Sequence, residues 1–263
     1  MIAFVLCVAG AFGLIIGSFV NVIVWRVPRG ESVVRPSSAC PACHAAIRPW
    51  DNIPVLSWFV LRGRCRDCGT RISSRYPLVE AATGILFVLV VARLLGGGEL
   101  VWAVPAYLYL TAIGVALALI DIDTHRLPDA IVLPAIPVLT LLLGSASAAA
   151  GDWSRLVTAI LGGLVLFGLY AALLLVYPRG MGLGDVKLAA VLGLALGWLG
   201  WGPLAVGAFA AFLLGGGFSI VLLAIGRANR KTALPFGPWM LVGTGVGVAA
   251  GAPLWSAYVG LFS

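Results

Sequence analysis

The sequence predicts an all-α polytopic membrane protein of about eight transmembrane helices, N-out and C-out, with a cytoplasmic zinc-binding loop module between helices 1 and 2. Three observations carry this. Hydrophobic residues make up 61% of the 263 positions and charged residues only 10%, against about 25% in an ordinary soluble domain. Mean hydropathy is +1.07. That composition excludes a soluble globular domain, a disordered chain and a secreted disulfide scaffold. Apolar runs of about 20 residues, the length that crosses a bilayer as a helix, recur along the chain. The basic residues then collect on one side of those runs.

Residues 1–25 read as the first transmembrane helix, because no charge interrupts the run from Ile2 until Arg26. No basic residue precedes it and it is longer than the apolar core of a signal peptide, so a retained span is expected. Residues 26–76 break the pattern with nine Arg, three acids, four Cys and five Pro. Apolar runs return at 77–95, 101–120, 128–148, 155–177, 187–200, 203–226 and 238–262, of which 187–200 is the shortest. The loops 26–76, 121–127, 178–187 and 227–237 alternate onto one face. The nine Arg together with Arg126, Arg179, Lys187, Arg227, Arg230 and Lys231 put fifteen of the seventeen basic residues there, leaving Arg93 and Arg155 for the other face. The positive-inside rule makes the rich face cytoplasmic. The net charge of +7 is therefore an orientation signal, and its natural partner is the anionic lipid bilayer rather than nucleic acid.

Within the polar module, Cys40-Pro-Ala-Cys43 and Cys65-Arg-Asp-Cys68 are two CxxC pairs separated by 21 residues. Each pair can place two thiolates on one tetrahedral Zn²⁺, and four thiolates leave no open position, so such a metal folds the loop rather than catalysing. Two disulfides are the alternative, disfavoured on a cytoplasmic face. Pro41 and Gly69 suit tight knuckle turns, His44 reads as a surface residue, and Cys7 lies in the first span.

Acids near a membrane are costly and usually functional. Glu31, Asp51 and Asp67 lie in the polar module, and Glu99 and Asp152 in exterior loops. Asp121 closes the third apolar run and Asp185 precedes the short sixth one, in Gly180-Met-Gly-Leu-Gly-Asp185-Val-Lys187. The two runs between them form one hairpin, which returns the chain to the same face. Two converging carboxyls share a proton, one acting as base toward water and the other as acid toward a scissile carbonyl. Gly182 and Gly184 would let a peptide backbone approach. Helix capping is the competing account of Asp185 and Asp129. Lys187 either tunes the pair or anchors its span at the headgroups.

The chain carries Gly17-Ser-Phe-Val-Asn21-Val-Ile-Val-Trp-Arg26, then the two CxxC pairs followed by Arg75-Tyr-Pro77-Leu-Val-Glu80, then Ala118-Leu-Ile-Asp121 and Gly182-Leu-Gly184-Asp185-Val-Lys187. In this order, over roughly residues 10–200, they resemble the type IV prepilin peptidases, bifunctional leader peptidase/N-methyltransferases of the GxGD aspartic type. The resemblance implies Asp121 and Asp185 as the catalytic pair, supported by the Gly182, Gly184 and Lys187 motif. It implies cleavage of prepilin and pseudopilin leaders after a Gly at the cytoplasmic face of a bacterial inner membrane, in type IV pilus or type II secretion systems. It also implies methylation of the new terminus, usually Phe, from S-adenosylmethionine. The implied organisation is a methyltransferase-associated region at about 10–95 containing the 26–76 zinc module, a peptidase core at 101–200, and two further spans at 203–263.

Ser18, Asn21, Arg26 and Glu80 are candidates for the methyl-transfer half. Ser18 and Asn21 share a helix face, where interhelical hydrogen bonding is the alternative role, and Glu80 is expected to pair with Arg75 or Arg26. Gly245-Val-Gly247-Val-Ala-Ala250 imitates a nucleotide loop but lies in an apolar span without a preceding strand, so Gly243, Gly247 and Gly251 read as helix packing. Rival functions are a proton-coupled transporter, which needs acids at the membrane midplane, and a non-enzymatic adaptor docking through its zinc module.

Overall fold

A computed structural model describes residues 1–178, 180–227 and 234–262, and Glu99 by its backbone only. Arg179, Arg230 and Lys231 of the orientation count, and the Glu99 side chain, lie outside the described residues. The described chain is helical: α1 (Ile2–Arg26), a short α2 (Leu56–Val60), α3 (Arg75–Leu95), α4 (Val104–Thr124), α5 (Asp129–Ala150), α6 (Ser154–Val176), α7 (Leu183–Leu199), α8 (Trp201–Ala224) and α9 (Gly237–Val259). Among the described residues the only β pairing is two isolated bridges, Ala39 with Ala46 and Arg64 with Arg71.

Local chemistry sets the ends. Pro128 and Asp129 open α5, where a missing N–H and an acidic side chain are both favourable, and Gly151 closes it at φ 70, the left-handed cap that glycine permits. Just ahead of α6, Asp152 accepts from the Ser154 amide at 3.1 Å. Seven helices, all but α2 and α7, are long and apolar enough to cross a membrane. The helix expected at 187–200 runs instead from Leu183 to Leu199, 17 residues, or about 25 Å at 1.5 Å per residue. It packs against α5, α6, α8 and α9, and its hydrophobicity on every side reflects burial among helices.

The chain forms two compact units, Met1–Val104 with Leu108–Ala116, and Pro105–Tyr107 with Leu117–Ser263. In the first, α1 and α3 pack antiparallel. A Cβ on Gly17 would lie 2.7 Å from Glu80 Cα and one on Gly13 2.8 Å from Gly84 Cα, so the two backbones touch as small-residue seams allow. In the second unit α7 is the hub. Tyr107 donates its hydroxyl to the Ala195 carbonyl at 2.6 Å and the Trp198 indole donates to Ser147 Oγ at 2.9 Å. The glycines expected to pack rather than bind do so: a Cβ on Gly243 would meet Ala211 N at 2.6 Å, and one on Gly251 would meet Pro203 Cα at 2.6 Å.

Candidate active site and metal centre

In the second unit both candidate aspartates lie inside helices rather than at the loop edges the sequence implied. α4 continues past Asp121 to Thr124, and α7 begins at Leu183, so Asp185 sits in its first turn. Asp121 is buried, and its Oδ2 accepts the Gly237 amide at 3.0 Å. Asp185 is half-buried, and its Oδ2 accepts the Gly182 amide at 3.0 Å while its own amide donates to the Gly182 carbonyl at 3.1 Å. The capping role weighed for Asp185 is thus real, and it uses one oxygen. Among the described residues no donor meets the other oxygen of either carboxyl.

Asp121 on α4 and Asp185 on α7 are brought to the same end of the second unit by the segment around Leu127. Leu127 is the spacer that sets the starts of α7 and α9 around them. A Cβ on Gly184 would lie 2.9 Å from Leu127 Cβ, and one on Gly237 would lie 2.7 Å from Asp121 Oδ2 and 3.4 Å from Leu127 Cδ2. Glycine is required at both places by proximity. On α6, Tyr170 is buried in the second unit. Its ring centroid lies 5.4 Å from Phe212 and 6.3 Å from Phe236, an aromatic cluster that ties α6, α8 and the start of α9 together.

Lys187 neither bonds to the pair nor stands free. Its Nζ meets both oxygens of Asp129 at 2.8 Å, so it braces the start of α5 to α7, and the tuning role weighed for it has no direct contact behind it. Gly237, Phe236 and Tyr170 were missed by sequence reasoning. The signal available was Pro235-Phe-Gly-Pro238, a turn-forming string directly ahead of an apolar run.

In the first unit Cys40, Cys43, Cys65 and Cys68 bring all four sulfurs within 4.8 Å of one another. Cys40 Sγ and Cys68 Sγ are 3.8 Å apart. That is about the edge of a tetrahedron with Zn–S bonds of about 2.3 Å, and far beyond the ~2.05 Å of a disulfide. The two knuckles repeat one design. The Cys40 amide donates to Ala45 O at 2.9 Å and the His44 amide to Cys40 O at 2.9 Å; the Cys65 amide donates to Thr70 O at 2.8 Å and the Gly69 amide to Cys65 O at 3.0 Å. His44 (φ 57) and Gly69 (φ 71) take the same left-handed turn, a conformation His tolerates better than most residues.

The thiols divide in proton affinity, as clustered anions must. Hydrogen bonding with the Thr70 side chain and backbone holds Cys68 down to about 6. At Cys43 the Ala45 amide acts downward, but the Cys68 sulfur, burial and the other two thiols outweigh it and push that thiol up to about 12. A divalent cation among them removes that conflict, and the donor set fits Zn²⁺. Outside the knuckles, hydrogen bonds from Arg66 hold the Asp51 carboxyl below its ordinary range, and Arg48 reaches Asp67 at 3.3 Å.

Of the methyl-transfer candidates, Ser18, Asn21 and Glu80 lie along the α1–α3 seam and Arg26 closes α1, each held by a partner. The Ser18 hydroxyl bonds Glu80, Asn21 Nδ2 donates to Tyr76 O at 3.2 Å, and Arg26 Nη1 donates to Ser32 O at 3.0 Å. Glu80 is buried and accepts the Val55 amide at 2.7 Å, so a backbone donor and the Ser18 hydroxyl are partners the sequence did not announce.

Two family descriptions match the sequence: the bacterial Peptidase A24 N-terminal domain over residues 11–94 and the type IV leader peptidase family over residues 108–220. Curated relatives named prepilin leader peptidase/N-methyltransferase include those of Stutzerimonas stutzeri, 35% identical over 98% of this chain and 94% of the relative. That of Aeromonas hydrophila is 38% identical over 88% and 86%, and that of Neisseria gonorrhoeae 36% identical over 97% and 93%. No solved structure matches the chain.

Proposed function

The chain belongs to the type IV leader peptidase family, and we propose that it cleaves prepilin leaders and N-methylates the exposed terminus, with Asp121 and Asp185 as its peptidase pair. The observation that carries the peptidase reading is the arrangement itself: two carboxyls, from α4 and α7, each anchored through one oxygen by a backbone amide, with Leu127 packed against both helix starts that hold them. Fixed amides hold the carboxyls in register, and the remaining oxygens are left for water and substrate. The ionised carboxyl takes a proton from water as that water attacks the carbonyl of the leader Gly. The protonated one gives its proton to the carbonyl oxygen, forming a tetrahedral diol; the first carboxyl then passes the water's proton to the departing pilin amine while a diol hydroxyl returns a proton to the second carboxylate, and the C–N bond breaks.

A prepilin joins a short basic leader to an apolar helix, so its scissile bond waits at a membrane surface. The basic residues of the alternating loops support placing Asp121 and Asp185 at the cytoplasmic face of a bacterial inner membrane, in an eight-span, N-out/C-out arrangement. Prepilins and pseudopilins of type IV pilus or type II secretion systems are the substrate class. The relatives' methyltransferase name supports S-adenosylmethionine as methyl donor, and the α1–α3 seam with Ser18, Asn21, Arg26 and Glu80 is where we place that half. Zn²⁺ on Cys40, Cys43, Cys65 and Cys68 is structural. The transporter and adaptor readings leave the paired carboxyls without a task.

Mass spectrometry of a purified prepilin, before and after exposure to the enzyme and methyl donor in detergent, tests both activities at once. The expected products are the free leader ending in Gly and a mature pilin heavier by one methyl group. An unchanged prepilin would reject the peptidase, and a cleaved but unmethylated product would reject the transferase.

A further inference from the structure

The polar module presents an apolar surface outside the residues assigned to either activity. On α2, Leu56, Phe59 and Val60 occupy i, i+3 and i+4 positions of one face and are 56%, 64% and 67% exposed, with Trp50 at 62% and Ile53 at 47% just ahead of them. The polar groups turn inward instead. Ser57 is buried and donates to the Trp50 carbonyl at 3.1 Å, and the Trp58 indole donates to the Ile72 carbonyl at 3.1 Å. In water this pattern is inside out.

One bond fixes the depth of this surface. Val55 is held at φ 63, a conformation unfavourable for a β-branched residue, with its amide on Glu80 Oε2 at 2.7 Å. Glu80 lies five residues inside α3 from Arg75, roughly 7–8 Å along the axis. Amphipathic elements lying in a bilayer interface bury their apolar face by about 5–10 Å. The neighbouring helix ends carry the side chains of that level: the Arg29 guanidinium stacks over Trp25 at 3.6 Å, and Tyr76 is exposed at the start of α3. Arg62 and Arg64, both exposed, follow α2 directly and match anionic headgroups.

We propose that residues 50–60 form a membrane-dipping element, with Trp50, Ile53, Leu56, Phe59 and Val60 in the headgroup–acyl boundary of an anionic bilayer and Arg62 and Arg64 at its phosphates. The element rests the zinc module on the lipid surface. Its occupant is lipid, because the chain on either side of the module is an apolar helix of spanning length and the Val55–Glu80 bond holds the segment within the first turns of one of them.

The test uses the full chain in nanodiscs of phosphatidylethanolamine and phosphatidylglycerol, with p-benzoyl-phenylalanine incorporated in place of Phe59 and irradiated. Lipid adducts on the intact protein, found by mass spectrometry without any substrate present, are the expected result. Crosslinks joining two copies, crosslinks to added prepilin in place of lipid, or no adduct at all would each overturn the proposal. A second measurement compares wild type with Trp50→Phe in bilayers brominated near the headgroup. The difference emission assigned to Trp50 should be quenched at least about twofold; unquenched, water-like emission would count against insertion. Both readouts report lipid contact, so they succeed or fail independently of prepilin cleavage.

Discussion

A backbone amide is a donor that cannot rotate away, and Gly237 offers one to Asp121 at 3.0 Å. The same glycine leaves no room for a side chain, since an added Cβ would lie 2.7 Å from the carboxylate oxygen it serves. Gly237→Ala is therefore expected to push Asp121 out of register and lower prepilin cleavage at least tenfold, about 1.4 kcal/mol of transition-state stabilisation. Single-turnover cleavage in detergent measures it, with zinc content as the check that the chain is intact. Asp121 and Asp185 stood out in the sequence because charged residues are so scarce here that each acid near an apolar run had to be explained. Gly237 did not, because its contribution is a main-chain N–H brought in from 116 residues away. Lys187 was legible as a motif residue but not in its role, because Asp129, its partner, had already been given a helix-start role of its own.

At the scale of elements, two constructions can be broken separately. The knuckles of the polar module depend on a cation that reconciles four thiols within 4.8 Å. Cys40→Ser and Cys65→Ser are each expected to remove stoichiometric zinc, because metal binding and folding of such a module are one process. Metal analysis of the purified variants decides it, with limited proteolysis of residues 30–72 reporting the loss of the module. The α6–α7 seam depends on glycine: a Cβ on Gly162 would lie 2.7 Å from Gly193 O, and one on Gly197 would lie 2.5 Å from Thr158 O. Gly197→Val should cost about 1–3 kcal/mol through overpacking, visible as a lower unfolding temperature in detergent. The CxxC spacing announced the first construction. The second was hidden, because glycines in an apolar run look alike whether they face lipid or a neighbouring backbone, and only α7's place among four helices tells which.

At the scale of the molecule, the helical, multi-pass character was legible from hydropathy and composition, and most helix positions followed to within a few residues. α7 is where hydropathy ran short, because a helix enclosed by other helices has no need of full bilayer length. Its crossing decides the orientation. If α7 spans, reporter fusions at both termini should show them on the external face; termini on opposite faces would mean seven crossings and a different placement of the basic loops. The central claim, that two paired carboxyls from α4 and α7 perform the cleavage, is tested most directly by measuring prepilin cleavage rates for Asp121→Asn and Asp185→Asn separately. Removing an acid–base group costs about 10²–10⁴-fold, so each variant should fall by at least about 10²-fold while keeping its zinc and its unfolding temperature. Wild-type cleavage by either variant would contradict the account.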